Sequence, residues 1–102
     1  MKKVNRIVNK ASSLRATNNT QKVLLKLLRA NGEWVSRSQL ASVSPSASAR
    51  VRDLRKAEYG AFSVECASAR ELNRPAPRGT FYYRVNPRKV TQSQLAVAMR
   101  LD

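Results

Sequence analysis

With a single cysteine and no histidine, the chain cannot close a disulfide on itself or assemble a cysteine-rich zinc site, so apolar packing must hold its fold. A unit of about 65–75 residues can bury a modest core on those terms, with little stability to spare. The length of 102 residues therefore suits one domain with short tails. The missing histidine also removes the usual general base and the usual partner of an activated serine or cysteine. The six acids are scattered, without paired-carboxylate, phosphate-loop or metal-ligand spacing. No enzyme chemistry, metal or cofactor is expected, and Cys66 reads as a small apolar strand residue.

Twenty Lys and Arg stand against those six acids, a formal net charge of +14. Such a chain repels itself and attracts polyanions, nucleic acid being the commonest; an anionic membrane or an acidic protein compete with it. The charge is spread along the sequence. Residues 1–18 carry Lys2, Lys3, Arg6, Lys10 and Arg15 with no acid. Arg37, Arg50, Arg52, Arg55 and Lys56 follow, against Asp53 and Glu58. Arg70, Arg74, Arg78, Arg84, Arg88 and Lys89 come last, against Glu65 and Glu71. Met1-Lys2-Lys3 imitates the start of a secretion signal, but no unbroken apolar run follows and nothing approaches transmembrane length. The cytoplasm, with no membrane partner, is the expected setting.

Apolar spacing predicts a helix from Thr20 to Ala30, with Val23, Leu24, Leu27 and Leu28 inward and Asn18 or Asn19 as N-cap. Asn31-Gly32 stops it, and Trp34-Val35 is a brief strand or extended link. Ser36 and Gln39 form a capping box that opens a short helix through Ala41. Ser44 is then expected to cap a third helix, with Pro45 at its first position and its end near Lys56. Ala47, Val51 and Leu54 define its buried face; Ser46, Ala49, Arg52, Asp53 and Lys56 lie opposite, with Ser48 and Arg50 at the flanks. Phe62, Val64 and Cys66 alternate as one half-buried strand, and Phe81, Tyr83 and Val85 as another. Between them, 68–79 is a long basic tip that Pro75 and Pro77 favour as extended chain. Trp34 and Tyr83 read as core, with Tyr82 open to stacking. At the ends, residues 4–14 carry Val4, Ile7, Val8, Ala11 and Leu14 at helical spacing. They form either a packing or dimer helix or a basic arm tracking DNA, rather than a membrane anchor. Thr91 and Gln94 make another capping box, opening a helix with Leu95, Ala98 and Met99 on one side.

Three strings in this order resemble a winged helix-turn-helix domain, of the small bacterial and bacteriophage regulator kind. Leu27-Leu28-Arg29-Ala30-Asn31-Gly32-Glu33-Trp34-Val35-Ser36-Arg37-Ser38-Gln39-Leu40-Ala41 looks like its first helix, first strand and second helix. Ala49-Arg50-Val51-Arg52-Asp53-Leu54-Arg55-Lys56, then Tyr59-Gly60, resembles the third helix and its exit. Thr80-Phe81-Tyr82-Tyr83-Arg84-Val85 is similar to the returning wing strand. The resemblance implies an α+β fold: a three-helix core plus a small antiparallel sheet with its wing, and short helical extensions at both ends. The expected layout is a basic extension over 1–18, the domain over 19–86 and a C-terminal extension over 87–102. The tip is longer than in the compact form of such domains, and Ala57-Glu58 adds an acid near the helix end.

The same physics directs the third helix to double-stranded DNA. Short Ser46, Ser48 and Ala49 let its backbone approach a major groove, and Arg50, Arg52 and Lys56 reach guanine or phosphate. Asp53 either accepts from cytosine or pairs with Arg50 or Lys56, pairing being preferred. Arg70, Arg74 and Arg78 suit a neighbouring minor groove or its phosphates. Arg37 and the backbone N–H groups beside it suit a phosphate. The leading expectation is a transcriptional regulator. The alternatives are an architectural, recombination or packaging factor on DNA, or a winged helix that meets an acidic host protein. RNA binding is weaker still, because no aromatic pair of an RNA-stacking sheet is evident. The helix from Thr91 offers a contact for a homodimer.

Overall fold

Helix α2 (Asn19–Arg29) is apolar on nearly every side: Val23, Leu24, Leu25, Leu27 and Leu28 are all buried. Asn18 caps it, its side chain accepting the Gln21 N–H at 2.9 Å. A helix buried so completely needs neighbours around it. They come from both ends of the chain in the computed structural model, which describes residues 6–76 and 79–100. Val4, Lys2, Lys3, Pro77 and Arg78 lie outside the described residues.

On one side lies α1 (Arg6–Ser13), which buries Ile7, Val8 and Ala11. Arg29 ties the two helices together, donating to the carbonyls of Ala11 and Leu14 at 3.0–3.3 Å. On another side lies α4 (Ala47–Leu54), which presents Ala47, Val51 and Leu54 to the core. Helix α5 (Gln92–Met99) contributes Leu95, Ala98 and Met99 to the same apolar cluster, leaving Val97 exposed. The buried Gln21 amide donates to the Ala98 carbonyl at 3.1 Å, so α5 is also bonded to α2. One core thus joins residues 19–86 to both flanking segments.

The sheet is antiparallel with strand order β1-β3-β2, made from β1 (Val35–Ser36), β2 (Val64–Ser68) and β3 (Phe81–Val85). Val35 pairs with Tyr83 and Val64 with Val85, and these four form the inner face against the helices. Among the described residues the protein is therefore an α+β fold of five α-helices and three strands, with two 3-10 turns at Ala57–Tyr59 and Pro87–Lys89.

Two of the predicted caps hold in both directions. Ser36 and Gln39 bond reciprocally at the start of α3 (Arg37–Ala41), as Thr91 and Gln94 do for α5. The third expected cap is overturned. Ser44 is 1% exposed, its N–H donates to the Leu40 carbonyl, and its hydroxyl donates to the Pro45 carbonyl. The chain needs residues 42–46 to turn from α3 into α4, so α4 begins only at Ala47. Ser46 precedes it at φ 55°, in the left-handed region and without a side-chain cap. At the other end α4 stops at Leu54 rather than Lys56, because the Phe62 N–H takes the Leu54 carbonyl at 2.7 Å.

The strand from Phe62 to Cys66 is also displaced. It runs Val64–Ser68, and Phe62 is buried ahead of it. Cys66 is exposed and Ala67 buried, the reverse of the expected alternation. Phe81 is likewise 39% exposed although Tyr83 and Val85 are buried. Both lie on the inner face, Cys66 opposite the buried Tyr83 on an edge strand and Phe81 at the start of β3. Trp34 is half-buried and outside the core cluster, so the expectation that it is core fails; it alternates with Val35 onto the outer face.

Gly60 turns the chain between α4 and β2 at φ +107°. A Cβ there would stand 2.7 Å from the Phe62 ring and 2.9 Å from the Gln94 backbone oxygen, while the Gln94 amide donates to the Gly60 carbonyl. Gly60→Ala is expected to cost at least about 2 kcal/mol, lowering the Tm by about 10 °C or more. Gly79→Ala, at φ +86° with nothing within 4 Å of the added carbon, should cost only about 1 kcal/mol. Thermal unfolding followed by circular dichroism checks the contrast; equal shifts for the two variants would contradict the close packing at Gly60.

Candidate nucleic-acid interface

Once Ala47, Val51 and Leu54 are committed to the core, helical geometry turns the remaining residues of α4 outward. Ser46 and Arg52 are exposed, and Ser48, Ala49 and Arg50 are half-buried. Lys56 is exposed just past the helix end. Ala49 and Arg52 therefore form an outer ridge with Ser48 and Arg50 at its flanks, as their spacing predicts, and Ser46 lies just ahead of the helix.

Asp53 pairs both ways along that ridge. Its carboxylate lies 3.3 Å from Arg50 Nε and 3.5 Å from Lys56 Nζ. Surface pairs three residues apart are weak, about 0.3–0.5 kcal/mol each, yet they fix directions. Arg50 and Lys56 are drawn toward Asp53, whereas Arg52 has no side-chain partner among the described residues. The same holds for Arg37, exposed at the start of α3, and for Arg70 in the β2–β3 connection. These three cations are free to meet an anion from outside.

The connection between β2 and β3 is not extended over its first residues; Pro75 follows the turned part and Pro77 lies outside the described residues. Residues 69–73 coil into a turn: the Leu72 N–H donates to Ser68, the Asn73 N–H to Arg70 and the Arg74 N–H to Ala69. Ser68 and Glu71 close it reciprocally, each N–H donating to the other's side chain at 3.1 Å. This is the bonding of a capping box without a helix behind it, and Ser68 and Glu71 stand at the right spacing to have signalled it. The turn leads Arg74 back over the outer face of the sheet, where its guanidinium lies 4.8 Å from the centre of the Tyr82 ring. Tyr82 pairs with Ala67, so this fold-back accounts for the burial of Ala67. Arg70 and Arg74 also line a hollow of about 360 Å³ with Asn73 and Gly79. Arg78 lies outside the described residues.

A second stack lies beside the first. The Arg84 guanidinium sits 4.4 Å from the centre of the Trp34 ring and also bonds Glu65 on the neighbouring strand. Exposed cation–π contacts are worth about 0.5–1 kcal/mol, so each guanidinium favours its ring without being locked onto it. Sequence reading missed this outer aromatic pair because Trp34 looked like core; its alternation with buried Val35 was the available signal. It also missed a basic groove of about 480 Å³ beside α2, where Arg15, Lys22 and Lys26 stand around Leu25.

Among the described residues, no three of His, Cys, Asp and Glu cluster as a metal site, and no helix is long and apolar enough to cross a membrane. Comparison with protein-family models, with curated proteins and with solved structures finds no match.

The Arg84 hydrogen bond holds the Glu65 carboxyl below its ordinary range. Glu71 is held low too, chiefly by the Ser68 N–H and then by its hydroxyl. A carboxylate lowered in the folded state adds stability above its ordinary value and loses it as pH falls through the lowered one. Acid should therefore open the 69–73 turn. The Ser68 amide signal should move with the Glu71 titration, below the ordinary carboxylate range, and Glu71→Gln should abolish that movement. A Glu71 that titrates at an ordinary value would contradict the closed turn.

Proposed function

We propose that the protein binds double-stranded DNA through a winged helix-turn-helix and acts as a bacterial or bacteriophage transcriptional regulator in the cytoplasm, without cofactor or catalysis. One observation carries the reading: α4 is anchored by Ala47, Val51 and Leu54 while Ser46, Ser48, Ala49 and Arg52 stay on its accessible side. In this reading α3 and α4 are the helix-turn-helix, and α4 lies in the major groove. Ser48 and Ala49 admit its backbone to the groove floor, and Arg52 is the side chain suited to a guanine edge. Arg50 and Lys56, angled by Asp53, meet flanking phosphates, as Arg37 does from α3. The β2–β3 connection is the wing, and Arg70 and Arg74 reach the adjacent minor groove or its phosphates. The net charge of +14 supports strong, salt-sensitive attraction to the duplex.

A second reading has its own support. Phe81 is exposed at the base of the wing, and apolar side chains inserted between base steps are a common device of DNA-bending proteins. An architectural role would show as pronounced bending of bound duplexes that Phe81→Ser removes.

Fluorescence anisotropy on a selected site and on random duplex tests the main proposal. Affinity should fall by about 10³–10⁵ between about 50 and 200 mM salt if about six to ten phosphates are neutralised. Arg52→Ala should cost about 1–3 kcal/mol on the selected site and much less on random duplex. Arg74→Ala should weaken both about equally. Equal losses for Arg52→Ala on both duplexes would remove it from base reading, and no duplex affinity at low salt would refute the proposal.

A further inference from the structure

Apart from Arg74, which the proposed wing also uses, the outer face of the sheet has no part in gripping a duplex through α4. We propose that it is a second nucleic-acid surface, one that takes unpaired bases of single-stranded nucleic acid by stacking them on Trp34 and Tyr82. The strands alternate so that Val35 and Tyr83 enter the core while Trp34, Ser36, Tyr82 and Arg84 face away from it. Trp34 and Tyr82 are half-buried, and each carries a guanidinium over its ring. The occupants of those ring faces identify the ligand chemistry. Each is a planar, cationic guanidinium, Arg84 at 4.4 Å and Arg74 at 4.8 Å from the ring centres. A guanidinium over a ring occupies the place that a stacked nucleobase would take.

Exchange of the guanidinium for a base is favourable in kind. An exposed cation–π contact is weak, whereas base–aromatic stacking is stronger and indifferent to base identity. The displaced Arg74 and Arg84 remain on long side chains at the same face, where phosphates of the bound strand take them up. Glu65 is the acid on this surface and competes with phosphate for Arg84. Tyr82 and Arg84 are two residues apart on β3, and Trp34 lies under Arg84, so two adjoining stacking positions run across the sheet. A duplex, whose bases are already stacked on each other, has no face to offer here. This surface works whether or not α4 binds duplex DNA.

Trp34 is the only tryptophan in the chain, so its emission reports on the site directly. Oligo(dT) and oligo(U) are titrated separately into the full chain at low salt. Saturable quenching is expected with one or both, and the difference between the two arms assigns DNA or RNA as the preferred strand. Tyr82→Leu should weaken that binding by about tenfold, Tyr82→Phe should retain it, and Glu65→Gln should tighten it. Arg52→Ala should leave it unchanged, which separates this surface from the one proposed for duplex DNA. No quenching by either oligomer would overturn the proposal. So would equal affinity in Tyr82→Leu.

Discussion

The burial of α2 governs the molecule. Its five aliphatic residues from Val23 to Leu28 are buried, leaving to water only the strip of Lys22, Lys26 and Arg29. Four other helices and the inner face of the sheet contribute to the one apolar cluster that surrounds it. A chain without disulfides has few other means of stability, and polar bonds reinforce the packing where it would otherwise be open. Gln21 reaches α5, Arg29 holds the end of α1, and Gln94 holds the turn at Gly60. Because α4 gives three apolar side chains to this core, its other side is fixed in place as an outward ridge.

The charge distribution follows from how the few acids are spent. Asp53 serves Arg50 and Lys56, Glu65 serves Arg84, and Glu71 closes its own turn with Ser68. Each of these acids organises a cation or a loop, and little negative charge is left to neutralise the rest. Arg37, Arg52 and Arg70 are thereby left for an external anion. The aromatic rings act similarly, drawing Arg74 and Arg84 over the outer face of the sheet. Positive charge here is ordered by weak local contacts, not simply spread over a surface.

What was legible in the sequence was what short-range physics decides. Asn18, Ser36 with Gln39, and Thr91 with Gln94 cap their helices as read, because a cap depends only on residues within one turn. The buried triad of α4 was legible for the same reason, since helical spacing alone groups Ala47, Val51 and Leu54. The failures lie where distant parts of the chain decide. Ser44 looked like a cap but is buried by the turn into α4. Cys66 and Phe81 lie on the expected face yet stay exposed, Cys66 on an edge strand and Phe81 at the start of β3. Trp34 is aromatic and apolar, but its register on β1 turns it outward, onto the face where Arg84 covers it. Of the DNA-facing residues read from sequence, those on α4 fall on one ridge, Arg50 and Lys56 are tethered to Asp53, and Arg74 is laid on Tyr82.

The central claim is that the core fixes the accessible side of α4 as the surface for duplex DNA. Mapping backbone amide shifts on titration with a short duplex at low salt addresses it most directly. The account predicts the largest changes at 46–52, with smaller ones at Arg37 and Arg70 and none along the buried side of α2. Changes centred on α1 or α5, with residues 46–52 silent, would contradict it.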